Sequence, residues 1–268
     1  MSMSDNSSDP LVHRELRGAV ALLSLNRPAQ YNALSKEMIA DLHENLDLLA
    51  ADPSVRAVVL GGAGKAFCAG HDLKQLMANR KLEYYERLFD DCSRLMIRIQ
   101  TLPQPVIARV HGIATAAGCQ LVAACDLAVA SSEARFAVSG INLGLFCATP
   151  SVPLSRNVGR KAAFEMLVTG EFIDAATAMQ HGLINRYVDP EQLDGEIAEM
   201  TAAIIAKPRS VVAAGKSLFF RQLEMGVTAA YQVAGQSMAC NMLDNFAQEG
   251  VLAFIEKRPP NWPVDSAS

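Results

Sequence analysis

Two short stretches of this chain carry chemistry in their backbone rather than in charged side chains. Residues 66–73 read Ala-Phe-Cys-Ala-Gly-His-Asp-Leu, and residues 112–120 read Gly-Ile-Ala-Thr-Ala-Ala-Gly-Cys-Gln. Each follows a strand-like run and opens a helix-like one. A helix start leaves N–H groups without partners and bears the positive end of the dipole, so two such turns side by side can aim donors at one anionic oxygen. That suits acyl chemistry, in which negative charge builds on a carbonyl oxygen. Each stretch has a plainer reading too: Asp72 with Gln75 forms a capping box for a helix over residues 73–78, and Ala116-Ala117-Gly118 suits close packing of a helix on a strand.

Other reactive residue types are scattered. Five histidines include no H-x-x-x-H spacing, and no carboxylates cluster, so no metal is expected. The six cysteines show no C-x-x-C spacing in a chain of 268 residues, too large to need a disulfide framework. They read as reduced thiols of a cytoplasmic protein, with Cys119 and Cys125 as small core residues.

The elements that must position the two turns follow from periodicity. A hairpin is expected over residues 11–16 and 19–25 around Arg17-Gly18, then a Pro-containing loop over 26–32. Ser35 reads as the cap of a helix over 36–51, where Met38, Leu42, Leu46 and Leu49 recur at helical spacing. A buried strand over 57–60 leads into the first turn. A long helix over 82–102, stopped by Pro103 and Pro105, leads through a strand over 106–110 into the second. Strand, turn, helix, repeated, is the signature of parallel strands with crossover helices, hence an α/β core. Beyond about residue 159 helical periods dominate, with only residues 184–188 strand-like. The division expected is a core over 1–200 and a helical region over 201–268, without a flexible linker.

The residue patterns resemble a known family. Phe67-x-Ala69-Gly70-x-Asp72-Leu73-Lys74 and His111-Gly112-x-Ala114, running into Gly118-Cys119-x-Leu121-x-x-x-Cys125-Asp126, are similar to the two hallmark segments of the crotonase, or enoyl-CoA hydratase/isomerase, superfamily. Further matches fall in the family's order: Leu25-Asn26-Arg27-Pro28 with Asn32-Ala33-Leu34, Phe164-Glu165-Met166-Leu167 with Thr169-Gly170, Ala178 with Gly182-Leu183-Ile184, and Glu249-Gly250 with Phe254-x-Glu256-Lys257-Arg258.

The resemblance implies a spiral of ββα units, a helical C-terminal region that assembles trimers or hexamers, and a CoA thioester as substrate, with no permanently bound cofactor. It implies that the thioester oxygen is held by the N–H groups of His71 and Ala117. Ala117 replaces a residue that is often glycine and donates provided its φ is negative. Removing one such donor typically costs about 10²–10³ in rate. CoA contacts carried over by position are Lys65, Ala69, Gly70, Asp72, Leu73 and Lys74, with Phe254 and Lys257 often serving a neighbouring subunit's ligand. Ala29 stands where some relatives carry a basic residue, which removes one phosphate contact.

The chain also departs from the pattern. A hydratase of this family uses two glutamates, one orienting water and one protonating the α-carbon; their positions fall on Gln120 and Gly140. An amide places water but has no useful proton affinity near neutral pH, and glycine offers no side chain. General acid–base help is worth about 10²–10⁴ per group, so efficient hydration is not expected. The following stretch, residues 145–151, replaces a glycine-rich loop and is expected to line the acyl pocket. Candidates for replacement chemistry are the His71 imidazole, the Cys147 thiol, and Asn142, Thr149 or Ser151 as polar anchors. Each has a structural alternative: a histidine bonded outside the pocket, a thiol as apolar filling, polar side chains capping a loop. His111 reads as a brace.

A net charge of −4 and a pI near 5.8 remove the electrostatic basis for nucleic-acid or membrane-surface binding. No run reaches the roughly 18 uninterrupted apolar residues of a membrane span, and the Ser/Asp-rich start has no signal-like pattern. The expectation is an acyl-CoA enzyme of the hydratase/isomerase type, in fatty-acid or acyl-CoA metabolism. Thioesterase, decarboxylase or isomerase chemistry in the same oxyanion hole, or non-catalytic acyl-CoA binding, are the alternatives.

Overall fold

A computed structural model describes residues 9–263. The chain opens with an antiparallel hairpin, β1 (Val12–Arg17) and β2 (Val20–Leu25), turned at Gly18 with φ +60°. Ser35 caps α1 (Lys36–Ala51), its Oγ accepting from Met38 N at 3.2 Å. Met38, Ile39, Leu42, Leu46 and Leu49 are buried along one stripe, each contributing about 1.5–3 kcal/mol of apolar burial. Next come β3 (Ala57–Gly62), β4 (Ala66–Cys68), α2 (Leu73–Ala78) and α3 (Leu82–Thr101), then β5 (Val106–Val110), β6 (Ile113–Thr115) and α4 (Ala117–Ala124). β7 (Leu127–Ser131) and β8 (Arg135–Ala137) lead through a 3-10 turn, Ser139–Leu143, into α5 (Ala148–Asn157) and α6 (Arg160–Thr169). β9 (Ile173–Asp174), α7 (Ala175–His181), β10 (Arg186–Val188) and α8 (Leu193–Ile205) follow, and α9 (Arg209–Leu223), α10 (Val227–Met242) and α11 (Asn245–Ile255) complete the order.

The strands divide into two sheets in a regular way. The larger runs β1-β2-β3-β5-β7-β10 and the smaller β4-β6-β8-β9, so the pairs β3/β4, β5/β6 and β7/β8 each send one member to each sheet. Repetition of that step, with a helix after each pair, winds the chain into a spiral of ββα units. From β2 onward the larger sheet is parallel, and β3 is buried along nearly its whole length because both its faces are covered. Val58, Leu60 and Val106 join the core with α1 and α3, while Ala57, Val59, Ile107 and Val129 pack against Leu193, Ile197 and Met200 of α8.

α8 crosses residue 200 as one continuous helix on the sheet. The helices after it are different: α9 and α10 bury no residue, and α11 buries only Ala253. One pin is Lys216 of α9, whose Nζ donates to Ile99 O (2.8 Å), Gln104 O (2.9 Å) and Asp126 Oδ2 (2.6 Å). Burial lowers the Lys216 pKa and raises that of Asp126, and the ion pair opposes both shifts.

Residues 148–151, expected as loop, form the first turn of α5. Pro150 is tolerated there because first-turn N–H groups have no partner within the helix. β6 and β8 also escape the periodicity, since strands of three residues are too short to alternate visibly.

Candidate active site

β4 and β6 pair in parallel, Ala66 with Ile113 and Cys68 with Ala114, which brings the two turns beyond them side by side. In the first turn Gly70 has φ +92°. His71 bridges to Leu34: Leu34 N donates to Gly70 O at 2.7 Å and Asp72 N to Leu34 O at 3.2 Å. A parallel bridge made this way leaves the N–H of its central residue free, and His71 N has no partner among the described residues. Asp72 then caps α2, Oδ1 accepting from Lys74 N and Gln75 N at 3.1 Å each, while Oδ2 pairs with Arg27 at 3.0 Å. Burial pushes its carboxyl up, but the bonds from Gln75 and Arg27 outweigh this and hold it below the usual range. The expected cap is present; Gln75 does not close the box but turns to Glu37 and Lys36.

In the second turn the positive φ falls on Ala116, at φ 50° and ψ −120°, a conformation that costs a non-glycine residue about 1–3 kcal/mol. Ala117 is thereby the first residue of α4 with ordinary helical backbone, so the condition on its φ is met. Its N–H is an orphan of the helix start and has no partner among the described residues. The contact between the turns is tight. A Cβ on Gly70 would lie 2.9 Å from Ala116 Cβ and 3.2 Å from Ala117 N. One on Gly118 would lie 2.0 Å from Cys68 O, so glycine is required there for α4 to seat on β4.

Gln120 lies one turn into α4, 3 % exposed, and its Oε1 is buried with no partner among the described residues. Thr115 Oγ1 shares a hydrogen bond with Ser139 Oγ at 2.8 Å, tying the second turn to the segment that carries Gly140. Gly140 faces Cys147: a Cβ would fall 2.7 Å from Cys147 Sγ and 2.7 Å from Leu145 O. Burial pushes the Cys147 thiol up, opposed by the Gly140 N–H, and the neighbouring Cys119 thiol is pushed up to about 12. Raised in this direction, both thiols stay protonated at neutral pH.

The His71 ring is closed in beside the first turn. Neither ring nitrogen has a hydrogen-bond partner among the described residues, and the ring meets Phe89 edge-on at 5.3 Å. Burial pushes its pKa down to about 4, with the Leu34 backbone opposing. Asn142 donates to Gly170 O at 3.3 Å and Ser151 to Ala148 O at 2.6 Å, so both brace backbone; Thr149 is half-buried in the first turn of α5. Lys65, Leu73 and Lys74 are exposed around the first turn, and Phe254 and Lys257 are exposed at the end of the helical region. Sequence reasoning assigned no role to Asn32, which is fully buried and binds three backbone groups beside the first turn. Its signal was an asparagine after a proline loop, a residue type that tolerates its φ of 55°.

This spiral, with two facing turns at the starts of α2 and α4, defines an enoyl-CoA hydratase/isomerase fold, the crotonase fold. The family's profile, described as enoyl-CoA hydratase/isomerase, matches residues 15–264, and the chain belongs to that family. It is 45 % identical over 262 residues to "Enoyl-CoA hydratase domain-containing protein 3, mitochondrial" of Xenopus laevis, covering 96 % of this chain and 89 % of that one. A crystal structure of enoyl-CoA hydratase from Mycobacterium smegmatis superposes with TM-score 0.93 at 62 % identity, covering 95 % of this chain and 99 % of the other. Human enoyl-CoA hydratase domain-containing protein 3 gives TM-score 0.91 at 40 % identity, covering 94 % and 100 %. The cytoplasmic location expected from the cysteines is overturned by these relatives. The Xenopus laevis protein and its namesakes from Danio rerio, Rattus norvegicus, Mus musculus and Homo sapiens are all named mitochondrial. Reduced thiols are common to both compartments, so the cysteine argument does not separate them. No helix among the described residues is long and apolar enough to cross a membrane.

Proposed function

We propose that this chain is an acyl-CoA enzyme that polarises the thioester carbonyl through the N–H groups of His71 and Ala117. The observation that carries the reading is the contact of the turns, with Gly70 packed against Ala116 and Ala117 so that the two unpartnered N–H groups start from adjoining backbone. Donors fixed before charge develops need no reorganisation when an enolate-like oxygen forms.

The side chains around that cradle favour chemistry other than efficient hydration. Gln120 supplies an amide and Gly140 nothing, and the buried His71 ring is neutral. Loss of CO2 from a malonyl-type thioester needs carbonyl polarisation but no protein base, because the bond to the departing carboxylate supplies the electron pair of the enolate, which water then protonates. Gln120 Oε1, without a partner among the described residues, instead favours a hydrolytic reading by offering an acceptor to a water. Apolar side chains exposed on α9 to α11, including Phe219, Leu223, Tyr231 and Phe254, suit a homotrimer or dimer of trimers.

The test combines binding and turnover. Ligand at 100 times its Kd stabilises the fold by about 2.7 kcal/mol, so CoA and acyl-CoAs should raise Tm. A panel of enoyl-, β-keto-, malonyl-type and saturated acyl-CoAs then separates the reactions. Absence of any shift at saturating CoA thioester sinks the reading; ordinary turnover of an enoyl-CoA to the 3-hydroxy product sinks the argument from Gln120 and Gly140. Tight binding without turnover of any panel member would leave a binding protein.

A further inference from the structure

The loop that precedes α1 lies along the first turn and is stitched to it on both sides of His71. Ala69 N donates to Tyr31 O at 3.0 Å, Leu34 N to Gly70 O at 2.7 Å, and Asp72 N to Leu34 O at 3.2 Å. The His71 N–H stands between these bonds without a partner among the described residues. One side chain spans loop and turn together: Arg27 Nη1 donates to Ala33 O and Nη2 to Asp72 Oδ2, each at 3.0 Å. With the Arg27 and Asp72 side chains only 19 % and 16 % exposed, salt screens this pair far less than a surface one.

Arg27 also builds the loop it reaches across. Its N–H donates to Asn32 Oδ1 at 2.9 Å, and its carbonyl accepts from Gln30 N and Asn32 N, at 2.9 Å each. Inside that closure Tyr31 and Asn32 hold positive φ, 51° and 55°. An asparagine tolerates this region, whereas for a bulky tyrosine it is an outlier. Backbone held against its preference costs about 1–3 kcal/mol and persists only where its surroundings impose it. Here the imposed shape sets Tyr31 O and Leu34 against the first turn. A planar fork of donors suits the bridge from Ala33 O to Asp72, while an ammonium is a single point charge that does not fix both directions.

We propose that Arg27 is a positioning residue for carbonyl polarisation: by joining Ala33 to Asp72 it fixes the direction in which the His71 N–H points. The inference rests on the acyl-CoA reading above. A donor is worth most when it already points to where charge develops, and a displacement of about 1 Å can cost 10²-fold in rate. Loss of Arg27 leaves the N–H in the chain but frees its aim, so the effect falls on polarisation rather than on binding. A push–pull thioester, 4-(dimethylamino)cinnamoyl-CoA, separates the two. Its affinity is read by titration, and the absorption of the bound ligand moves to the red as its carbonyl is polarised, because the excited state carries more negative charge on that oxygen.

The wild-type protein should bind this probe with a red shift. Arg27→Met should keep its affinity within about threefold yet lose at least half of the shift, and Arg27→Lys should recover part of it. Asp72→Asn keeps an acceptor for the cap but removes the charged partner. It should lose a similar share, and the double variant no more than either. The shift is read per bound ligand at saturation, so a variant that folds only in part still reports on its folded fraction. A full wild-type shift in Arg27→Met, a loss of affinity beyond about tenfold, or additive losses in the double variant would overturn the inference. Failure of the wild-type protein to bind the probe, or binding without a red shift, would instead remove the acyl-CoA reading on which it stands.

Discussion

Cys147 places its sulfur where a side chain on Gly140 would begin, since a Cβ there would lie 2.7 Å from Sγ. The same Cβ would meet Leu145 O at 2.7 Å, and that backbone is tied back by Leu145 N donating to Gly140 O at 3.0 Å. Gly140→Glu therefore overpacks the segment and should cost about 1–3 kcal/mol in urea denaturation without conferring hydration of an enoyl-CoA. A variant as stable as the parent that hydrates enoyl-CoA would show the space to be open.

The His71 backbone and ring have separable roles. With a folded pKa of about 4 against an ordinary 6.5, the unfolded chain binds the proton first. Stability due to the neutral ring is therefore full above pH 6.5 and is lost as pH falls toward 4. The loss is on the order of 3 kcal/mol at about 1.36 kcal/mol per pKa unit. His71→Phe keeps the N–H and should flatten this decline, measured by denaturation at pH 7 and pH 5, while acyl-CoA affinity stays within a few-fold. A steep loss of affinity would give the imidazole a direct role in the site.

Gln120 holds an unpartnered oxygen in a nearly closed environment, which costs a fold about 1–3 kcal/mol. Gln120→Met has similar volume and no such oxygen. It should raise stability by about 1 kcal/mol while lowering turnover or affinity for the acyl-CoA. If thermal and chemical denaturation both show a less stable variant, the amide is already satisfied in the folded protein.

Lys216→Met removes a cation that serves three acceptors, Asp126, Ile99 O and Gln104 O. Breaking one side of a buried pair typically costs about 3–5 kcal/mol. Limited proteolysis should then cut earlier between α8 and α9. A change below about 1 kcal/mol would mean that water replaces the ammonium there.

Much of this was readable from residue types. The stripe of Met38, Leu42, Leu46 and Leu49 behind Ser35 gives a helix of the right length because periodicity and cap agree over four turns. The hairpin at Gly18 and the Asp72 cap follow from local chemistry in the same way. Long-range packing left no such mark. Neither the seat of Cys147 against Gly140 nor the bonding of Asn32 has a sequence period: Cys147 meets Gly140 across an irregular loop of the same unit, and the Asn32 amide bonds backbone groups 31 and 34 residues further along the chain. An alanine such as Ala116 does not announce a positive φ, and the helix after Cys147 was hidden by two prolines.

The unusual backbone of Ala116 makes the second turn the place where local preference and global architecture disagree. An excised peptide spanning this turn would relax away from the shape it has between β6 and α4. Assembly of the surrounding spiral, with Gly70 pressed against the turn and Ala116 N donating to Ala137 O, is what compels it. On the proposed reading, competence to grip a carbonyl oxygen therefore arrives only with the completed fold and cannot be transplanted as a short motif.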